Sequence, residues 1–194
     1  MGGVVDSRLE LITGIIQPEG GLKMGWELKK YPMYYGGVKQ TYPNIKPGTS
    51  FLSESAIVGN IVFLSSFDGR SSETGDVSSS KFEEQMVVCL DNIRLALEKA
   101  GSSMNNLVKN FVLLRDFEDC PRIWKTMLEY YQKHAPHLVE EPPAITVAQV
   151  SALAKPDCLI EIDSIAVISK DEPGWEMKKY PMFYGGIKQV YPNV

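Results

Sequence analysis

Residues 141–169 read EPPAITVAQVSALAKPDCLIEIDSIAVIS, two runs rich in β-branched residues separated by a break at Pro156 and Asp157. Such runs, bounded by Pro, Asp and Ser, read as two strands joined by a turn. The second run sets Glu161 and Asp163 among Ile160, Ile162, Ile165 and Val167. Side chains alternate across a strand, so the two carboxylates share a face, and at least one is expected to look into a pocket or across an interface.

Upstream of this pair, residues 107–114 form the preceding strand. Residues 121–133 read as a helix with Pro121 in its first turn and Ile123, Trp124, Met127, Leu128 and Tyr131 inward. An earlier helix carries a stripe of Phe82, Met86, Cys89, Leu90, Ile93, Leu97 and Ala100 at helical spacing. Ser80, three residues before Glu83, is expected to open it as a capping box, and Gly101 to end it. Before that helix, two short apolar runs flank Gly59-Asn60 and read as a hairpin. The order hairpin, helix, strand, helix, strand, strand predicts an α+β fold with two helices on one face of a mixed sheet.

A second pattern lies outside that body. Residues 26–45, WELKKYPMYYGGVKQTYPNI, recur as residues 175–194, WEMKKYPMFYGGIKQVYPNV, with 15 of 20 positions identical. Each copy brackets a Gly-Gly pair with aromatic and β-branched residues, the pattern of a tight hairpin turn needing positive φ. Two hairpin arms are expected, turning at Gly36-Gly37 and Gly185-Gly186, with Trp26 and Trp175 similarly buried. Tyr31, Tyr34, Tyr35 and Lys39, and their counterparts in the second copy, alternate rings and cations as a ligand lid would. Packing and oligomer clamping is the reading preferred. The domain plan is then an extension at 1–45 holding the first arm, a body at 46–169, and a second arm at 170–194.

Net charge is −4, with 20 basic residues dispersed along the chain, which argues against a surface built to neutralise nucleic-acid phosphates. Three cysteines, Cys89, Cys120 and Cys158, lie far apart in a chain without a recognisable secretory leader or long apolar run, so a reduced cytoplasmic protein is expected, with no membrane partner. Cys89 falls on the apolar stripe and reads as a small buried hydrophobe. His134, His137 and Glu140 form an H-x-x-H-x-x-E run, but in a Pro-interrupted stretch, which reads as solvated loop; no metal and no cofactor are expected.

Several segments together carry a family resemblance. Pro143-Ala144-Ile145-Thr146-Val147-Ala148-Gln149-Val150 matches a P-A-R-T-T-V-Q-V-like segment, and Glu161-Ile162-Asp163-Ser164-Ile165-Ala166-Val167 an E-I-E-A-I-A-V-like one. Residues 53–60, SESAIVGN, and 61–66, IVFLSS, match Y-S-Q-A-I-x-x-G-N and L-V-F-x-S-G-Q patterns. In order and spacing the chain over 46–169 resembles the RidA (YjgF-type) reactive-intermediate deaminases. The arms are not covered. The resemblance implies a mixed six-stranded sheet of the RidA/chorismate-mutase-like kind, a homotrimer with sites in clefts between subunits, and hydrolysis of a reactive imine or enamine to a ketone and ammonia.

In the family an arginine grips the substrate carboxylate with a guanidinium fork, and a glutamate positions or deprotonates the attacking water. Here Ile145 stands at the arginine position, Leu52 at the tyrosine of Y-S-Q-A, and Ser66 at the glycine after the strand serine. Glu161 and Ser65 keep their positions. The resemblance therefore implies Glu161 as the catalytic residue and Ser65, Ile145, Leu52, Thr146 and Tyr131 around a small-molecule substrate. Each has a plainer reading: Glu161 as a strand carboxylate satisfied locally, Ser65 as a hydroxyl bonding backbone, Ile145 as decay of a disused site or the wall of a pocket rebuilt without a charge clamp. Two functions compete: a deaminase or related hydrolase with altered anchoring, and a non-catalytic ligand-binding or oligomeric scaffold on the same fold.

Overall fold

The structure, a computed structural model, describes residues 28–41, 52–169, 179, 183–184 and 187–188. The expectations for residues 1–24, Trp26, Trp175 and Gly185-Gly186 lie outside them. In chain order the elements begin with β1 (Leu28–Pro32), β2 (Tyr34–Tyr35) and β3 (Val38–Lys39), then β4 (Ser53–Val58), β5 (Ile61–Leu64) and β6 (Phe67–Asp68). Helix α1 (Phe82–Lys99), β7 (Leu107–Leu114), α2 (Cys120–His134), α3 (His137–Glu140), β8 (Ala144–Gln149) and β9 (Ile160–Val167) complete the body. Two short strands follow, β10 (Phe183–Tyr184) and β11 (Ile187–Lys188).

The main sheet runs β1-β4-β5-β9-β7-β8, with β6 also pairing β9. Only β7 and β8 are parallel. Parallel neighbours need a crossover, which α2 and α3 supply between them. The α+β plan with helices on one side is thus realised, and the sheet has seven strands rather than six because β1, from the repeated segment, pairs with β4 in the register Leu28 opposite Val58.

Period-two alternation sets which side of β9 meets the helices. Ile160, Ile162, Ser164 and Ala166 are fully buried, while Glu161, Asp163, Ile165 and Val167 are not. The full stripe of α1 is buried against them, Cys89 included, its thiol donating to the Phe67 carbonyl at 3.0 Å. Burial holds that thiol well above its ordinary pKa, which suits an inert core residue.

Two helix ends show how local chemistry fixes boundaries. Gly101 takes φ +81°, letting its N–H reach the Glu98 carbonyl and the Ser102 N–H reach Leu97, a Schellman stop. At the other end Ser80 does not cap α1. The helix starts at Phe82 after Lys81, with no side-chain cap bond. Glu83 therefore stands at the second helical position rather than the third, and its carboxylate takes both the Nε and Nη2 hydrogen bonds of Arg122 on α2, at 2.7 and 2.6 Å. His134 ends α2 stacked on Tyr130, and His137 opens α3 and pairs with Glu141 at 3.2 Å. Among the described residues no helix is long and apolar enough to cross a membrane.

Candidate functional site

Glu161 lies on β9 between Leu113 of β7 and Asp68 of β6. It sits on the side of β9 that α1 does not cover, half-buried rather than free in solvent. Its carboxylate accepts a hydrogen bond from the Ser66 hydroxyl. Ser66 follows β5 where the chain turns towards β6, so a bond across 95 residues of sequence fixes the carboxylate's direction. The adjacent Asp68 is buried and held by Arg70, whose guanidinium lies 2.8 to 2.9 Å from its oxygens. Asp163, two residues on and on the same side as Glu161, is half-exposed. Burial pushes its carboxyl above the usual range, with the Ser164 backbone partly opposing.

The remaining residues expected at a site divide into three groups. Ser65 stays beside Ser66, but its hydroxyl donates to the Ser53 carbonyl at 2.7 Å, which locks the β4–β5 end. Thr146 faces the same side of the sheet as Asp163, both being paired through Phe111, and its hydroxyl accepts from the Lys109 ammonium. Ile145 and Tyr131 lie on the other side. Ile145 is in register with Asn110 and packs against the core. Tyr131 is fully buried, its hydroxyl accepting from Asn110 Nδ2 at 3.2 Å while Ser164 donates to Asn110 Oδ1 at 2.8 Å. That chain of hydrogen bonds satisfies polar groups that would otherwise be costly beneath the sheet.

Leu52 belongs to neither side of the centre. It precedes β4, is 40% exposed, and its carbonyl accepts the Met33 N–H at 3.2 Å. Four strand steps separate β4 from β8, or roughly 19 Å at the usual spacing. One chain therefore brings Glu161 and Ser66 together, with Asp163 nearby, and leaves Leu52 and Ile145 four strand steps apart. The Ser66 partnership escaped sequence reading as a contact, although serine at the family's glycine position was the available signal. Lys109 carried no signal at all.

A cleft of about 170 Å³ opens elsewhere, between the β2–β3 hairpin and α1, lined by Tyr34, Glu54, Asn92 and Lys99 among others. The Lys99–Glu54 ion pair at 2.8 Å crosses it. It lies on the helix-covered side and contains none of the residues around Glu161.

The family profile described as Endoribonuclease L-PSP matches residues 44–168. A RutC family protein of Pyrococcus abyssi is 34% identical over 114 residues, covering 59% of this chain and 84% of that protein. A 2-iminobutanoate/2-iminopropanoate deaminase of Dermatophagoides farinae is 29% identical over 116 residues, covering 60% of this chain and 84% of its own. Among solved structures, an L-PSP-type protein of Entamoeba histolytica superposes with a TM-score of 0.58 at 27% identity, covering 73% of this chain and 99% of that one.

Proposed function

The chain belongs to the endoribonuclease L-PSP family, and from that membership we propose that it is a hydrolytic deaminase of a labile enamine or imine. An enamine first tautomerises to its imine, water adds to the C=N carbon to give a carbinolamine, and the C–N bond then breaks to leave a ketone and ammonia. Glu161 carries one proton from the attacking water to nitrogen and then the second from the carbinolamine hydroxyl to the departing amine, so both protons of water end on ammonia and the carboxylate ends the cycle as it began. The observation that carries this reading is Glu161 itself: a half-buried carboxylate on the uncovered side of the sheet, aimed by the Ser66 hydroxyl.

Ile145 stands where the family's guanidinium grips a carboxylate, and an aliphatic side chain cannot replace that fork. The preferred substrate is therefore a small enamine or imine without a carboxylate at that point. Leu52 and Ile145 lie four strand steps apart, and Ile145 is turned to the helix-covered side, so the uncovered cleft at Glu161 is closed by a second copy rather than by these two residues. Ribonuclease chemistry is disfavoured by the net charge of −4 and the scattered basic residues.

Ammonia release from freshly generated 2-imino acids and from carboxylate-free enamines tests the proposal. The wild type should accelerate release, fastest with the carboxylate-free compounds, and Glu161→Gln should lose about a hundredfold or more, the usual range for a general base. Ser66→Ala should lower kcat roughly tenfold with little change in KM, the scale of one hydrogen bond to a charged group. A folded Glu161→Gln protein that keeps the wild-type rate would sink the assignment.

A further inference from the structure

The first of the repeated arms occupies a fitted socket, and of the second the described residues give the short β10–β11 pair and Lys179. The first arm docks at four points. Strand β1 pairs with β4 from Leu28 opposite Val58 to Tyr31 opposite Ser55. Met33 is 1% exposed, and its N–H and carbonyl bond Leu52 and Gln40 at 3.2 and 3.0 Å. The Tyr34 ring lies 5.7 Å from the Lys99 ammonium. Gly36, at φ +55°, lies so close to the Thr74 carbonyl that an added Cβ would sit 2.6 Å from its oxygen.

The residues behind those features recur in the sequence 149 positions later: Lys178, Lys179, Tyr180 and Pro181 match the residues of β1, Met182 matches Met33, Phe183 matches Tyr34, and Gly185 matches Gly36. The changes exchange Leu for Met, Tyr for Phe and Val for Ile, swaps that a fitted site tolerates. The second hairpin also forms in the same register: Phe183 pairs Lys188 and Tyr184 pairs Ile187, as Tyr34 pairs Lys39 and Tyr35 pairs Val38. Yet Lys179 donates to the Glu141 carbonyl at 2.8 Å, just before β8, at the edge of the sheet opposite β1.

We propose that the socket formed by β4, Leu52, Lys99 and Thr74 also receives residues 175–189 of a second copy of this chain, so that copies exchange arms. Each molecule carries two matching arm sequences, and the described residues show one lock, with Lys179 of the second arm at the far edge from it. Such a contact is heterologous, joining unlike surfaces, and it closes a ring or extends a chain of copies. The native arm has the advantage of local concentration, so exchange grows with protein concentration and with damage to that arm.

Full-length chains test this by cross-linking in trans. In the exchanged register Lys179 of one copy lies opposite Ala56 of another, and paired strand positions are within disulfide range. Ala56→Cys chains mixed with Lys179→Cys chains under oxidation should give a covalent species of twice the 21.7 kDa chain mass, rising with concentration. Met182→Asp in the second chain should abolish it, and Met33→Asp in the first should raise its yield severalfold. Absence of the species with unaltered arms at high concentration would overturn the proposal, even if Met33→Asp chains fail to fold. So would its persistence with Met182→Asp, or a cross-link confined to single chains carrying both cysteines. None of these readouts involves turnover, so failure here leaves the deaminase proposal standing.

Discussion

One hydroxyl distinguishes two roles for Tyr131. A substrate-binding tyrosine would alter KM when lost, whereas this oxygen accepts from Asn110 in a fully buried network. Tyr131→Phe should leave KM unchanged and lower stability by about 1–3 kcal/mol, because Asn110 then loses a buried partner; denaturant unfolding and steady-state kinetics on one preparation decide it. Asp163 offers a test of sign. Its raised carboxyl pKa means that the folded chain binds the proton more tightly than the unfolded one. Its contribution is fully present below the unfolded value near 3.8 and lost as pH rises through the raised folded value. Asp163→Asn should therefore melt higher than wild type at pH 7, with the gap closing below pH about 4; a mutant that melts lower at pH 7 contradicts the burial argument. At this scale the sequence showed what alternation can show, that Glu161 and Asp163 share a face. It could not show that Ser66 holds Glu161, because that contact depends on how β5 and β9 are laid side by side.

Elements with strong periodicity were legible: the α1 stripe, the β4–β5 hairpin and both strands of the opening stretch formed where their patterns placed them. The pairing of β1 with β4 was not, and the reason is physical. LKKYP has no clean alternation and three of its five residues are exposed. An edge strand can carry such lysines because only one side of it is paired, and its position is dictated by β4 rather than by its own pattern. The hairpin after it was readable from Gly36-Gly37, and the two glycines make different predictions. Both have positive φ, +55° and +71°, and replacing either with alanine costs about 1 kcal/mol in backbone strain. Only at Gly36 does the added Cβ also meet a backbone carbonyl, whereas at Gly37 it meets open space. Gly36→Ala should therefore destabilise more than Gly37→Ala, by roughly 1–3 kcal/mol in total, read as a lower denaturation midpoint. Equal midpoints would mean that the hairpin does not rest on the Thr74 loop.

Among the described residues one side of the sheet carries no helices, and that side is apolar at its centre. Phe63 is 42% exposed, and its register partners Ala56 and Ile165 lie beside it, with Phe111 on the neighbouring strand partly accessible. A sheet with one bare apolar side needs a cover, and we propose that copies of the same chain supply it with closed symmetry. The family resemblance implies three as the number, and Leu52 and Ile145, four strand steps apart, do not meet within one chain. A homotrimer is accordingly the expected assembly, with Glu161 near the boundary between subunits. Light scattering at micromolar concentration should give about three times the 21.7 kDa chain mass. Phe63→Lys, which puts a charge on the bare side without touching Glu161 or Ser66, should yield folded monomers whose deaminase rate falls because each cleft has lost its second wall. A monodisperse wild-type monomer that turns over substrate would require the whole site to lie within one chain. Leu52, before β4, and Ile145, on β8, are four strand steps apart, so one chain does not place both beside Glu161.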